Sequence, residues 1–184
     1  MARFTHPGIS DGTGISQLNP FHGSFYSLTT QTLSTTSQIK AWKFEITDLS
    51  QGVTIENNLS GDPTQITFEN AGIYNIQFST QLYNTGGGGA NSACDIWLAK
   101  NGFTVDATNT KVAVNANSPY VVASWNFFVT AEAGEYYELL WKTTHTGIQV
   151  YHTAINGSVP EIPDRKSTRL NSSHLGISYA VFCL

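Results

Sequence analysis

The sequence predicts an all-β protein built as a sandwich of short antiparallel strands, and three observations carry this prediction. Thr, Ser, Asn and Gly are abundant while Lys and Glu are scarce, a composition that favours strands and turns. Apolar and polar residues alternate with a period of two in several stretches, most clearly in residues 74–82. Turn residues separate these stretches at the spacing expected of a sandwich. We find no stretch with a 3.6-residue period that would predict a helix.

Length and charge narrow the class of protein further. At 184 residues the chain fits one domain and can bury a sizeable core. Charged residues make up only 12% of the chain, against roughly 25% in typical globular proteins, and the formal net charge is −4. The lysines lie far apart and no arginine stands between Arg3 and Arg165, so we exclude nucleic acid as the main ligand. The longest apolar runs are too short to span a bilayer, so no membrane partner is expected.

The clearest strand is residues 72–82, which follow the turn signal Asn70-Ala-Gly72. One face of this strand is apolar, and the other carries polar side chains without any charge. The apolar row is Tyr74, Ile76, Phe78, Thr80 and Leu82, and the neutral row is Asn75, Gln77, Ser79 and Gln81. A neutral polar row is unusual for a surface that meets only water, and it indicates assembly with another subunit.

The remaining strands are predicted from the same alternation. In chain order they are residues 23–31, 38–46, 53–55, 65–68, 92–101, 110–114, 120–130, 135–141 and 147–152. Residues 48–52 and Lys100-Asn101-Gly102 are predicted turns. Residues 120–130 carry large apolar side chains on both faces, which predicts a strand covered on both sides. The predicted core is Tyr74, Ile76, Phe78, Leu82, Ile96, Leu98, Trp125, Phe127 and Leu139.

A run of four glycines, Gly86, Gly87, Gly88 and Gly89, follows the central strand. No Lys-Ser/Thr pair or helical pattern comes after it, so a phosphate-binding loop is disfavoured. We interpret the run as an exposed, flexible hairpin loop.

No catalytic, metal-binding or cofactor-binding residue is predicted, and the chain is not expected to be an enzyme. His145 and His152 lack a carboxylate or thiol at ligand spacing. Glu135 and Glu138 point to opposite faces of one strand, which disfavours an acid–base pair. Cys94 and Cys183 are the only cysteines, too few for a disulfide framework.

The tryptophans leave a second interpretation open. Trp42, Trp97, Trp125 and Trp141 could stack on sugar rings if they were exposed. Alternation places most of them in or beside a core instead.

Several segments in a fixed order resemble the C1q/TNF-like jelly-roll modules of tailed-phage virion proteins. The segments are Phe25-Tyr-Ser-Leu-Thr-Thr-Gln-Thr32, Asn70 to Leu82, Asp95 to Gly102, Val121 to Phe127 and Ala133 to Trp141. The resemblance covers about residues 23–163. It implies a jelly roll of about ten antiparallel strands that assembles as a tight homotrimer.

The resemblance also implies a function and partners. It implies a non-enzymatic structural protein of a virion appendage, such as a tail fibre, collar or head decoration, assembled in the host cytoplasm and able to contact a host glycan or receptor. Asn75, Gln77, Ser79 and Gln81 would then face symmetry-related copies near a threefold axis, although an ordinary solvated face is the alternative. The alternative function is a cellular C1q-like module that binds a carbohydrate or receptor.

Both ends of the chain differ from this central domain. Residues 1–22 are rich in Gly, Ser and Thr, and we interpret them as an arm that binds other virion proteins or as a frayed terminus. Residues 164–184 resemble the translation of a sequencing-adapter read-through, in a place where the family has its closing strand. We therefore expect the final strand to be lost or replaced, and poor packing for Ile177, Tyr179 and Val181.

Overall fold

A computed structural model describes residues 21–86, 89, 91–117 and 119–163, and the backbone alone of residues 165–171. Every regular element in these residues is a β-strand. The strands are β1 (His22–Ser27), β2 (Lys40–Ala41), β3 (Ile46–Gln51), β4 (Val53–Asn57), β5 (Pro63–Phe68), β6 (Gly72–Asn84), β7 (Ala93–Lys100), β8 (Phe103–Thr104), β9 (Thr110–Ala113), β10 (Tyr120–Ala131), β11 (Tyr136–Thr143), β12 (Ile148–Val150) and β13 (Arg165–Asn171). No helix in the described part of the chain is long and apolar enough to cross a bilayer.

The strands form two antiparallel sheets. The first sheet has the order β10-β6-β13-β1-β3, with β12 also paired to β6. The second sheet has the order β4-β5-β11-β7-β8, with β2 paired to β11 and β9 paired to β7. The prediction of an all-β antiparallel sandwich is therefore confirmed.

The core lies between the two sheets and is built from the inward rows of the alternating strands. Its largest fully buried side chains are Trp42, Trp141, Tyr74, Phe25, Phe44, Phe68, Phe78, Ile66, Ile76 and Leu82. Phe78 of the first sheet meets Trp42 edge to face, with ring centroids 5.1 Å apart. Burying one such side chain stabilises the fold by about 1.5–3 kcal/mol, so the sandwich depends on this aromatic contact between sheets.

The longest strand pair is β6 with β10, in register from Gly72 opposite Ala131 to Tyr83 opposite Tyr120. Since directly opposed residues share a face, this register places the outward rows of both strands on one surface. β10 is the last strand of the first sheet, so its other edge has no strand partner among the described residues.

Two sequence motifs meet at one end of the second sheet. The turn at Lys100-Asn101-Gly102 has Asn101 at φ 50° and Gly102 at φ 84°, as a tight two-residue hairpin requires. Lys100 Nζ lies 2.6 Å from Glu135 Oε2, and Asn101 Nδ2 donates to Glu135 Oε1 at 3.1 Å. The predicted turn is confirmed, and Glu135 links it to the next hairpin.

The prediction of a turn at residues 48–52 is wrong. β3 runs through Gln51 and pairs with β1, and the chain reverses only at Gly52, whose φ is 70°. β3 is a polar edge strand with exposed side chains, so it lacks the apolar alternation that would identify it.

The last strand of the first sheet's interior comes from the segment that resembles adapter sequence. The backbone of β13 pairs with β6 on one side and with β1 on the other. Residues 165–171 thus occupy the closing position of the first sheet, and the replacement of a native strand there stays a prediction. The prediction of poor packing for Ile177, Tyr179 and Val181 falls outside the described residues.

Candidate functional site

The outward surface of β6 and β10 is not covered by any other described strand. The neutral row of β6 lies opposite the outward row of β10: Asn75 opposite Phe128, Gln77 opposite Asn126, Ser79 opposite Ser124, and Gln81 opposite Val122. We call these eight residues the neutral face. Its β6 members are half-buried and its β10 members are exposed.

The neutral face combines amides and hydroxyls with bare apolar surface. Asn126 Nδ2 donates to Asn75 Oδ1 at 3.0 Å across the two strands. Phe128 is 71% exposed and Val122 63% exposed, although both belong to a long, regular strand. Exposed apolar surface on an unpaired edge strand marks an interaction surface and is an aggregation hazard when nothing covers it.

Charge is missing from this surface. Across the described strands β6 and β10, no outward side chain is Asp, Glu, Lys, Arg or His. Charged residues are scarce in the whole chain, with 13 acidic and 9 basic residues among 184, and none of them lies in the described outward rows of these two strands. A surface without charge avoids the large cost of removing an ion from water on burial, although its amides and hydroxyls must still find hydrogen-bond partners.

A tyrosine cluster continues the neutral face at one end. Tyr83 stacks on Tyr120 with ring centroids 4.6 Å apart, and Tyr151 lies 4.9 Å from Tyr83. Desolvation, followed by the electrostatic effect of neighbouring Tyr83, raises the pKa of Tyr120, so the Tyr120 phenol stays uncharged at neutral pH. This cluster was not predicted from the sequence. The feature that could have indicated it is that Tyr83 and Tyr120 stand at the ends of two alternating strands that pair with each other.

Comparison with known proteins bears on the fold alone. No family model matches the chain, and no curated protein is similar to it in sequence. Among solved structures, murine APRIL superposes with a TM-score of 0.50 at 6% sequence identity. The match covers 83% of this chain and 98% of the APRIL chain. This chain has a TNF-like jelly-roll fold.

Within the jelly roll, most of the predicted core residues lie between the sheets. Tyr74, Ile76, Phe78, Leu82, Ile96, Leu98 and Leu139 are buried there. Trp125 and Phe127 differ from the prediction, because both are only half-buried. They belong to the edge strand β10, which has a neighbour on one side only, so their rings pack against Phe78 at the rim of the core.

The outward side of β10 also differs from its prediction. The bulk on both faces of residues 120–130 predicted cover on both sides. In the single chain only the inward row is covered, and the outward row stays exposed. The glycine loop is described in part: Gly86 and Gly89 are exposed, and Gly87 and Gly88 lie outside the described residues.

The titratable residues named from the sequence do not gather into one site. His145 Nδ1 accepts a hydrogen bond from the Gly147 N–H, and His152 Nε2 lies 3.7 Å from Glu161 Oε2. Glu135 bonds to Lys100, whereas the buried Glu138 accepts a 2.5 Å hydrogen bond from Thr64 Oγ1. Within the described residues, no three His, Cys, Asp or Glu side chains lie close enough to hold a metal ion.

Two other predicted features have plain positions in the jelly roll. Cys94 is buried in the core, and burial followed by the charge of Asp95 raises the pKa of its thiol, which keeps it protonated. Trp42 and Trp141 are buried, so neither can stack on a sugar, and only Trp97 and Trp125 are part-exposed.

Proposed function

We propose that this chain is a non-enzymatic structural module of a tailed-phage virion, assembled as a homotrimer through the neutral face and the tyrosine cluster. The trimer would belong to a virion appendage such as a tail fibre, collar or head decoration, with a role in contact with the host surface. Residues 1–22 would attach residues 23–163, the jelly roll, to other virion proteins. The observation that carries the proposal is an uncharged, partly apolar face on an open sheet edge.

Neutral polar side chains are better suited than charged ones to a position near a threefold symmetry axis. Close to a threefold axis, a side chain meets its own copies, so a charge there repels itself and is buried at a cost. Asn, Gln and Ser avoid this repulsion, because each can donate and accept hydrogen bonds with an identical partner. Val122 and Phe128 would add apolar contact that water now covers.

The assignment to phage rests on the ordered sequence segments that resemble virion jelly rolls. Two of those segments make a structural contact in this chain. Lys100 and Asn101 of one segment bind Glu135 of another, which gives both a shared role in tying two hairpins together. Contact between the segments supports reading them as one module.

The C-terminal segment bears on how the trimer should be tested. We propose that residues 164–184 are translated adapter sequence standing in place of the native closing strand. Because β13 lies between β1 and β6, a wrong strand there would weaken the sheet that carries the neutral face. Resequencing the source DNA across codon 164 tests this directly, and an unbroken viral reading frame through residue 184 would refute it.

The assembly is tested by sedimentation velocity and light scattering at micromolar concentration. We expect three times the chain mass both for the full chain and for a version whose residues 165–184 are replaced by a strand of alternating β-branched residues. A stable monomer in both would overturn the homotrimer. A monomer in the full chain and a trimer in the repaired chain would support both proposals together.

A cellular C1q-like module that binds a carbohydrate or receptor is the second candidate. The TNF-like fold shared with murine APRIL favours it as much as it favours a virion protein. Genes beside this one on the source contig separate the two, because structural genes of a phage would exclude the cellular origin.

A further inference from the structure

A cleft of about 400 Å³ lies on the outward side of the second sheet, away from the neutral face. Its floor is β7 and β11, and its wall is the loop of residues 104–109. Asp95, Trp97, Asp106, Asn109 and Lys142 line it. We call it the Trp97 cleft. Its volume lies within the range of roughly 300–1,000 Å³ found for small-molecule sites.

The wall of the Trp97 cleft is tied to the sheet. The Leu98 N–H donates to Thr108 Oγ1 at 3.1 Å, and the Val105 N–H donates to the Leu98 carbonyl at 2.9 Å. Thr108 Oγ1 in turn donates to the Val105 carbonyl at 2.7 Å. Ala107 has φ 60°, a left-handed conformation that is unfavourable for alanine and persists because these bonds hold the loop. The cleft is therefore preformed.

The floor presents the carbon surface of an indole ring. Trp97 is half-buried, and its Nε1 is buried without a hydrogen-bond partner in the described chain. The part of the ring that a ligand can reach is therefore carbon. Register places Trp97 opposite Leu140 and Asp95 opposite Lys142, so the apolar floor adjoins a row of opposite charges.

Two acidic and two basic side chains surround the floor, so their net charge is zero. Two of the four have no side-chain partner in the described chain. Asp95 is held by Asn109 Nδ2 at 3.2 Å and by Lys111 Nζ at 3.5 Å. Neither Asp106 nor Lys142 makes an ion pair or side-chain hydrogen bond with any other described residue. Two carboxylates and two ammonium groups favour neither an anion nor a cation. They do offer both strong acceptors and a strong donor to hydroxyl groups.

We propose that the Trp97 cleft binds a neutral saccharide. The C–H face of a sugar ring would lie on the indole of Trp97, whose face is electron-rich. Sugar hydroxyls would donate to Asp106 and accept from Lys142, while Asp95 is positioned by Asn109 and Lys111. The proposal rests on the proposed host-contact role only for the source of the saccharide, since nothing in the cleft requires a second copy of the chain.

The test is a titration of the ¹⁵N-labelled full chain with methyl glycosides of glucose, galactose and N-acetylglucosamine and their short oligomers. At about 10 mM, a probe nearly saturates a site with a Kd of about 1 mM or tighter. We expect at least one neutral probe to shift the indole N–H signal of Trp97. Signals of the buried Trp42 and Trp141 should not move. No shift with any probe would overturn the proposal, as would stronger binding of sialic acid or inorganic sulfate.

Two variants locate the site. Asp106→Asn leaves the fold intact, because its carboxylate has no partner to lose, and it should weaken the best probe by about fivefold to tenfold as a charge-assisted bond is lost. Trp97→Phe should also weaken binding of the same probe. Because this variant lacks the Trp97 indole signal, its binding is measured by calorimetry. Asp62→Asn, which alters a carboxylate paired with Lys43 outside the cleft, is the matched control and should bind like the parent chain. Unchanged binding in both cleft variants would refute the site.

The same samples separate this proposal from the homotrimer. Saccharide binding at Trp97 by a chain that stays monomeric both as it stands and with residues 165–184 replaced would refute the assembly and support the cleft. A trimer that binds none of the probes would refute the cleft and leave the assembly standing.

Discussion

The two outward surfaces of this sandwich are made in the same way and differ in what they carry. On the first sheet, the neutral face has amides, hydroxyls and exposed apolar side chains, and the described part of β6 and β10 puts no charge there. On the second sheet, the corresponding rows of β7, β9 and β11 place Asp95 opposite both Lys111 and Lys142 in strand register. Strand alternation produces both surfaces, so the difference lies in the side chains that occupy the outward rows.

The uncharged surface of the first sheet is suited to burial, whereas the charged surface of the second sheet is suited to contact with water. Charged side chains on the second sheet keep their hydration and leave a cleft open to small ligands. Amides and apolar groups on the first sheet can be covered by another copy without burying an ion, provided that the copy supplies hydrogen bonds to the amides. The proposed trimer would therefore assemble through the first sheet and leave the second sheet facing its surroundings.

Placing a charge on the neutral face should have the largest effect. Gln77→Glu changes shape very little, but three copies would bury like charges near the axis, at a cost on the order of 10 kcal/mol per trimer. We expect monomers by sedimentation velocity at pH 7. Gln65→Glu makes the same change on half-buried Gln65 of the second sheet and should leave the mass unchanged. An intact Gln77→Glu trimer would show that this row faces water.

Removing apolar surface should have a smaller effect of the same kind. Phe128→Ala should weaken association by about 1.5–3 kcal/mol per chain if a neighbouring copy covers that ring. The control is Phe103→Ala, since Phe103 is 78% exposed on β8 of the second sheet, compared with 71% for Phe128. The effect of each substitution is measured as the change in the trimer dissociation constant relative to the parent chain. Equal values for the two variants would mean that Phe128 is as free as Phe103.

Much of the fold follows from local sequence. The alternation around Tyr74 and Phe78 predicted which row is buried, because a strand of period two has only two faces. β3 could not be predicted in this way, since an exposed edge strand needs no apolar row. Trp125 and Phe127 show a related limit: alternation assigns a face, but the position of β10 at the sheet edge decides how deeply that face is covered.

The candidate sites are less predictable than the core. The neutral row of β6 was visible because its four members are two residues apart in sequence. The β10 half of the neutral face and the contact of Tyr151 with Tyr83 depend on register and long-range pairing. The Trp97 cleft depends on a loop folding back onto β7, which no periodicity encodes. Trp97 itself was named from the sequence only as one of four tryptophans.

The smallest predicted effect concerns pH and separates folding from assembly. Lys100, first through its side-chain hydrogen bond, and then the Glu132 N–H hold the pKa of Glu135 below its usual range. Because the folded-state pKa is lowered, this contribution is complete above the unfolded value of about 4.3 and is lost as pH falls through the folded value. Glu135→Gln should therefore lower the melting temperature slightly at pH 7 and match the parent chain in strong acid.

Exposed Glu69, whose side chain has no partner among the described residues, supplies the control, and Glu69→Gln should leave the pH profile of melting unchanged. The neutral face titrates nothing in this range, so the trimer mass should stay constant from pH 7 down to the onset of acid unfolding. Dissociation at a pH where the chain is still folded would mean that a carboxylate or histidine outside the neutral face lies in the interface.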